Sequence, residues 1–138
     1  MSDAYSKIPT PARILRALKR APALQRDDII AATYIGMRVC WKTRFFDALD
    51  INRDPIRQFS FTQRGWHRFA RFDQPIYALI DIDRHPETHP LRRGRRVDLY
   101  GTIVEIDTVL GVTLALDRFE ILPVNLLDRF VVMGDSRI

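Results

Sequence analysis

The spacing of apolar and polar positions along this chain changes period several times, and each change marks a predicted element. In PARILRALKR (residues 11–20), Ile14, Leu15 and Leu18 share one side of a 3.6-residue period while Arg13, Arg16, Lys19 and Arg20 occupy most of the remainder. This is a short basic amphipathic helix, with Thr10 placed as N-cap, Pro11 at the first helical position and Ala21-Pro22 as its end. At about eleven residues it is marginal alone, so it must dock on something. The preceding residues 1–9 read as a flexible leader. Asp27 and Asp28 open a second helix through IIAATYIG, since acidic residues suit the positive end of a helix dipole, and Gly36 is placed to stop it.

The period then falls to two. In MRVCWKTRFFDAL, Val39, Trp41, Thr43 and Phe45 form an inner row, and Arg38, Cys40, Lys42 and Arg44 an outer one. DALDINRDP reads as a turn-rich loop from Asp47 to Pro55. RQFSFTQ alternates again, with Phe59 and Phe61 inward, and RGWHRFARFDQP reads as an irregular, basic and aromatic connection or lid with its rings buried. PIYALIDID places Ile76, Ala78, Ile80 and Ile82 inside and Tyr77, Leu79, Asp81 and Asp83 outside. RHPETHPLRRG, broken by Pro86, Pro90 and Gly94, is a surface connection. RVDLYGTIVEID buries Val97, Leu99 and Ile103, and its mid-strand Gly101 marks a bulge or barrel corner. A last strand, VTLALDRFEIL, ends at Pro123; VNLLDRFVVM is a short closing helix, followed by a frayed tail.

The predicted core is Val39, Trp41, Phe45, Phe59, Phe61, Ile76, Ile80, Val97, Leu99, Ile103, Val112, Leu114 and Leu116. The fold class is mainly β with flanking N-terminal helices. Residues 1–26 form a basic leader and helix, and residues 27–138 the β domain.

Five strands, a mid-strand glycine and a helix before the first strand resemble an OB-fold, the small five-stranded Greek-key barrel. Within that fold the chain resembles the bacterial tRNA-anti-like group. Tyr34, Gly36 and Val39 match a Tyr-x-Gly-x-x-Val start of the first strand, and Leu91, Gly94, Val97, Leu99 and Gly101 match the later Leu-x-x-Gly-x-x-Val-x-Leu-x-Gly. The likeness covers roughly residues 27–122, and departs from the pattern in the long connection Gln63 to Gln74. Its motifs are glycines and apolar residues, so the resemblance implies a binding module and carries no catalytic residues.

Composition bounds the partner. With 46% hydrophobic and 28% charged residues the chain is too apolar for general disorder. The net charge of +5 comes almost wholly from arginine, since only Lys7, Lys19 and Lys42 are lysines. Arginine suits bidentate contacts to phosphate and stacking on rings, although a GC-rich genome produces the same bias. The charge is uneven: residues 99–138 carry three basic and six acidic side chains, so positive potential comes from the first half and the Arg92–Arg96 cluster.

Three groups of residues are candidates for binding nucleic acid. Arg92, Arg93, Arg95 and Arg96 flank Gly94 at the entry to the fourth strand; a solvated turn is the plainer explanation. In RGWHRFARF, Arg64, Arg68 and Arg71 interleave with Trp66, Phe69 and Phe72, the arrangement expected where cations take phosphates and bases stack on rings. Tyr100 is a further stacking candidate, and Arg38, Lys42 and Arg44 form an additional basic face. Against these stand Asp81, Asp83 and Asp98 beside Tyr77, Leu79 and Tyr100, which would repel a polyanion and favour a protein partner.

Other chemistries lack their residues. His85 and His89 flank Glu87, but prolines exclude the helix that would align them and no further ligands are identifiable, so no metal or cofactor is expected. His67 reads as a surface or stacking residue, and Cys40 has no histidine partner to make it a nucleophile. One cysteine excludes an internal disulfide, and no apolar run approaches the roughly 20 residues of a membrane helix. MSDAYSKIPT lacks a signal-peptide core, which reads as cytoplasmic. The expectation is a non-enzymatic OB-fold binding module for single-stranded DNA or RNA. The competing expectation is a protein-interaction or adaptor domain, self-association included.

Overall fold

The computed structural model describes residues 5–67 and 70–124, with side chains described outside 64–74. Helix α1 is Pro11–Arg20, and the Thr10 hydroxyl oxygen accepts from the Arg13 N–H at 3.3 Å. Pro11, Ala12, Ile14, Leu15 and Leu18 are its buried face. Its last carbonyls, which have no partner within the helix, are met by Arg26: Nε donates to Leu18 O at 2.8 Å and Nη2 to Lys19 O at 3.3 Å. Helix α2, Arg26–Ile29, continues as a π turn over Ile30–Tyr34 and stops before Gly36, whose N–H donates to Ile103 O at 2.9 Å.

The described residues form five strands: β1 (Arg38–Arg53), β2 (Ile56–His67), β3 (Ala70–Asp81), β4 (Arg96–Asp107) and β5 (Gly111–Ile121). They close into a barrel of order β1-β2-β3-β5-β4. All neighbours are antiparallel except β3 and β5, which pair in parallel from Ile76↔Val112 to Ala78↔Leu114. Gly111 makes that closure possible, because a Cβ there would collide with the Pro75 carbonyl, and its φ is +127°.

In the first half of β1, Val39, Trp41, Thr43 and Phe45 point inward, as the alternation predicts. Buried Thr43 satisfies its hydroxyl on Val97 O at 2.8 Å. A bulge between Phe45 and Asp47 then inserts one residue, so that Phe46 and Asp47 both lie on the outer face and Ala48 returns to the inner one. The expected loop from Asp47 to Pro55 is instead strand as far as Arg53, with Asp47–Asp50 paired to Ser60–Arg57. Only Ala48 of this stretch faces the core, so its polar outer face hid the strand period. The turn itself is short and carries an Asp54–Arg57 ion pair.

The expected irregular connection Gln63 to Gln74 is also corrected. These residues pair as two arms of one hairpin, from Thr62↔Pro75 to His67↔Ala70. Beyond Thr62, β2 leaves β1, and β3 meets β5 only from Ile76, so among the described residues the arms pair solely with each other. The pairing runs through backbone groups, which every residue type carries, so it leaves no residue pattern to read in the sequence. The expected burial of Trp66, Phe69 and Phe72 falls outside the described side chains.

All the expected core residues are buried except Leu116, which is half-buried beside a second bulge where Tyr100↔Arg118 gives way to Gly101↔Leu116. Gly101 is required there, since a Cβ would lie 2.5 Å from the Ala115 carbonyl oxygen. Ile14, Leu15 and Leu18 of α1 join the core, and α1 packs on β2, β3 and β5. Flanked in sequence by segments that meet the start of β1, it closes that end of the barrel. The other end is covered by the β3–β4 connection, where Leu91 packs on the core and Thr88 is buried with its hydroxyl donating to His85 O at 2.7 Å.

Residues 5–9 do not behave as the expected flexible leader. Ser6 N–H donates to Arg38 O at 3.0 Å, Cys40 N–H donates to Ser6 O at 2.9 Å, and Trp41 Nε1 donates to Pro9 O at 3.1 Å. These backbone groups of β1 face the side that β2 vacates beyond Thr62, where Gln63 Nε2 also donates to Lys42 O at 3.0 Å. The segment thus gives strand partners to groups that would otherwise lack them. The expected closing helix and tail lie, from residue 125 on, outside the described residues.

Candidate nucleic-acid interface

The register fixes which residues share the outer face of β1, β2 and β3. One cross-strand rung is Arg96–Arg44–Thr62–Pro75, the next Asp47–Ser60–Tyr77, and a third Leu49–Gln58–Leu79. With strands about 4.8 Å apart, the first rung spans about 14 Å. Between the rungs lies a groove of about 440 Å³ lined by Phe46, Asp47, Leu49, Ser60, Thr62, Pro75 and Tyr77. Thr62 and Pro75 are also the base of the projecting hairpin, so the hairpin arms continue from the groove rim.

The arginine cluster reaches this groove by a defined route. Gly94 N–H donates to Phe45 O at 2.9 Å and Phe45 N–H donates to Arg95 O at 2.8 Å, extending the β1–β4 ladder to the bulge. Arg93 consequently lies over Phe46, its guanidinium carbon 4.2 Å from the ring centroid and its Nε donating to Phe46 O at 3.1 Å. The cluster does not act as one unit. Arg92 is exposed at the turn. Arg95 turns away and donates to Leu122 O at 2.6 Å, at a separate hollow lined by Glu87, Phe119 and Glu120. Arg96 is half-buried opposite Arg44, whose Nη1 donates to Gly94 O at 2.8 Å.

On the hairpin, the register pairs Arg64 with Asp73 and Trp66 with Arg71. The side chains of Arg64, Trp66 and Arg71 are outside the described ones, and Arg68 is outside the described residues altogether.

The remaining candidates sit on a different surface, the outer face of β1, β4 and β5. Arg38 Nη2 donates to Tyr5 Oη at 2.7 Å and meets Asp117 Oδ2 at 3.3 Å, and its guanidinium covers the Tyr5 ring at 4.3 Å. The Tyr5 hydroxyl donates to Asp117 Oδ2 at 2.5 Å. That hydrogen bond, with help from Arg38, holds the Asp117 carboxyl below its ordinary range, and it pushes the Tyr5 phenol up. Tyr100 meets the Tyr5 ring edge-on at 5.4 Å and has the Arg118 guanidinium 3.8 Å from its centroid. Its phenol is raised chiefly by its hydrogen bond with Cys40 across the strand pair. Of the expected basic row, Arg38 is engaged in these contacts, Arg44 lies apart on the first rung of the groove face with its Nη1 on Gly94 O, and Lys42 is exposed opposite Asp98.

The carboxylates that weighed against a polyanion are also dispersed. Asp98 is on β4, while Asp81 accepts from the N–H groups of Asp83 and Arg84 at the end of β3. Among the described carboxylates, Asp47 is the one that lines the groove. Phe46 and Tyr77 were missed as site residues. The signal for Phe46 was the doubled Phe45-Phe46 in an otherwise alternating strand, which breaks the period and marks a bulge.

Elsewhere, His85 Nδ1 lies 3.2 Å from Glu87 and its ring packs 4.9 Å from Phe119, while His89 Nε2 lies 3.1 Å from Ile82 O. Among the described residues no three His, Cys, Asp or Glu side chains are grouped to hold a metal ion, and no helix is long and apolar enough to cross a membrane.

The described residues therefore define an OB-type barrel with N-terminal helices and, on its outer face, a groove lined by Phe46, Tyr77 and Asp47, with Arg93 over the Phe46 ring. No protein-family model and no curated protein matches the sequence. Among solved structures the chain is similar to a small single-stranded DNA-binding protein from Streptomyces coelicolor, at 10% identity and TM-score 0.47 over 67% of this chain and 95% of that one. It is similar to the N-terminal domain of PriB from Thermoanaerobacter tencongensis at 19% identity and TM-score 0.41, over 63% and 97%. A protein from Leishmania major Friedlin described as an aspartyl-tRNA synthetase matches at 10% identity and TM-score 0.49, over 91% of this chain and 22% of that one.

Proposed function

We propose that this protein is a non-catalytic module that binds single-stranded nucleic acid in the groove on β1, β2 and β3. The observation that carries the reading is the Arg93 guanidinium stacked on exposed Phe46 at the groove rim. A cation over one face of a partly exposed ring offers a nucleotide charge for the phosphate and, on the ring surface left exposed, an apolar contact for the base. In this reading Phe46 and Tyr77 stack on bases, Arg92 and Arg93 take phosphates, and the hydroxyls of Ser60 and Thr62 supply polar contacts. By sequence, Arg64, Arg68 and Arg71 would add cations and Trp66 a ring for the same ligand. Arg95 anchors the loop, Arg44 and Arg96 add positive potential, and Tyr100 with Arg38 and Lys42 lies off the path. The lone cysteine suits a reducing compartment such as the cytoplasm.

The test is fluorescence anisotropy with labelled single-stranded DNA and RNA of roughly 15 nucleotides, at two salt concentrations. Micromolar binding that weakens steeply with salt is expected. No binding at low salt would end the reading. A protein partner is the competing reading, favoured by exposed Leu49 and Leu79 on the third rung of the same face. A dimer by light scattering, together with absent oligonucleotide binding, would select it.

A further inference from the structure

We infer that the outer face of α1 is a second phosphate-binding surface, which takes the strand onward from the groove at the barrel end where the β2–β3 hairpin projects. The inference rests on the proposed groove. Between Asp3 and Asp27 the chain has no carboxylate, and α1 carries four cations in ten residues. A helix made polar only for solubility mixes signs and gains from opposite charges one turn apart. No such pair is available within α1.

The burial of Ile14 and Leu18 fixes how the helix is turned. Arg13, Ala17 and Arg20 consequently form the exposed stripe at i, i+4 and i+7, with Arg16 half-buried beside it and Lys19 exposed on its flank. Arg13 and Arg20 are about 10 Å apart along the axis, the length of about three phosphates at stacked spacing. Ala17 keeps the space between them open. Among the described residues Arg13, Lys19 and Arg20 make no ion pair. Arg26, rather than Lys19 or Arg20, meets the carbonyls of the last turn, which leaves those two cations to solvent. Arg13 stands in the first turn, where the helix dipole disfavours a cation, so its placement does not serve the helix itself.

Position completes the argument. α1 packs on β2, β3 and β5 and closes the barrel end where the hairpin arms leave. Residues 63–74 of that hairpin carry three arginines against one aspartate. The stripe and the hairpin thus flank one end of the barrel with the same sign of charge, and the groove opens at the hairpin base.

The experiment compares the full chain with the variant R13Q/K19Q/R20Q on single-stranded oligonucleotides of roughly 6 and roughly 20 nucleotides, across a salt series. For the long oligonucleotide the variant should lose about tenfold or more in affinity at low salt. The slope of log affinity against log salt should flatten by about 2, for three lost phosphate contacts. The short oligonucleotide, which fits the groove, should bind both proteins equally, and R13K/R20K should keep the wild-type slope. All these positions are exposed, so an unchanged melting temperature confirms an intact fold. An unchanged slope on the long oligonucleotide, with wild-type binding present and weakened by F46A, would overturn the α1 surface and leave the groove standing. Absence of wild-type binding to either length would remove both.

Discussion

Phe45 and Phe46 are consecutive residues on opposite sides of the barrel wall. Phe45 is 9% exposed, its ring centroid 5.7 Å from that of Phe59 and 6.2 Å from that of Phe61, whereas Phe46 is 43% exposed beneath Arg93. The two alanine variants should therefore separate folding from binding. Phe45→Ala leaves a cavity in the core and is expected to cost about 3 kcal/mol or more in a urea unfolding curve. Phe46→Ala should change stability by no more than about 1 kcal/mol and weaken oligonucleotide binding by about tenfold, since one stacked base contributes about 1–3 kcal/mol. A Phe46→Ala protein that binds as well as wild type would remove the groove from the binding site.

Arg93 and Arg95 are two residues apart in one loop and serve different ends. Arg93→Glu should reverse the charge at the groove rim, lowering affinity and flattening its salt dependence. Arg95→Ala removes the bond to the Leu122 carbonyl and should instead lower stability by about 1 kcal/mol, with binding little altered. Anisotropy and thermal melts on both variants check the division.

Gly101 has no room for a side chain. Its Cβ would meet the Ala115 carbonyl oxygen at 2.5 Å, and that oxygen belongs to the backbone of β5. Gly101→Ala is expected to force the two strands apart and destabilise the barrel by about 1–3 kcal/mol. A melting temperature equal to wild type would show that the bulge relaxes freely.

Asp117 and Asp107 set part of the response to acid. Tyr5 and Arg38 hold Asp117 down, and the N–H groups of Leu110 and Val109 hold Asp107 down, both below the ordinary 3.8. A carboxylate depressed by folding contributes stability that is fully present above its unfolded pKa and lost as pH falls through its folded one. Urea midpoints should therefore drop below pH 3.8, and less steeply in Asp117→Asn and Asp107→Asn than in wild type. Parallel acid profiles for all three proteins would contradict this.

Where one side of a strand meets the core, the sequence was legible. Val39, Trp41, Thr43 and Phe45 alternate with charged residues, and Ile76, Ala78 and Ile80 with polar or exposed ones, because burial imposes the period. Gly101 announced its bulge because the approach of β5 excludes a Cβ there. Legibility failed where no such constraint acts. The second half of β1 and the hairpin arms pair through backbone groups, which every residue type carries, so Asp47–Arg53 and Gln63–Gln74 read as connections. The Arg92–Arg96 cluster was visible as a cluster, but the opposite directions of Arg93 and Arg95 follow from carbonyls contributed by Phe46 and Leu122. No spacing within the cluster encodes those partners.

Ser6 and its neighbours have a consequence for the open edge of β1. A row of backbone donors and acceptors along Arg38–Lys42 would otherwise lie open, and an open strand edge is a template on which another chain can add its own strand. The short stretch Tyr5–Pro9 covers it, tied down through Arg38 O, Cys40 N–H and Trp41 Nε1. The guard against edge-to-edge aggregation is thus a few residues at the beginning of the chain rather than a sixth strand. Any alteration that lifts them would unmask a sticky edge while leaving the barrel's five strands and their register intact.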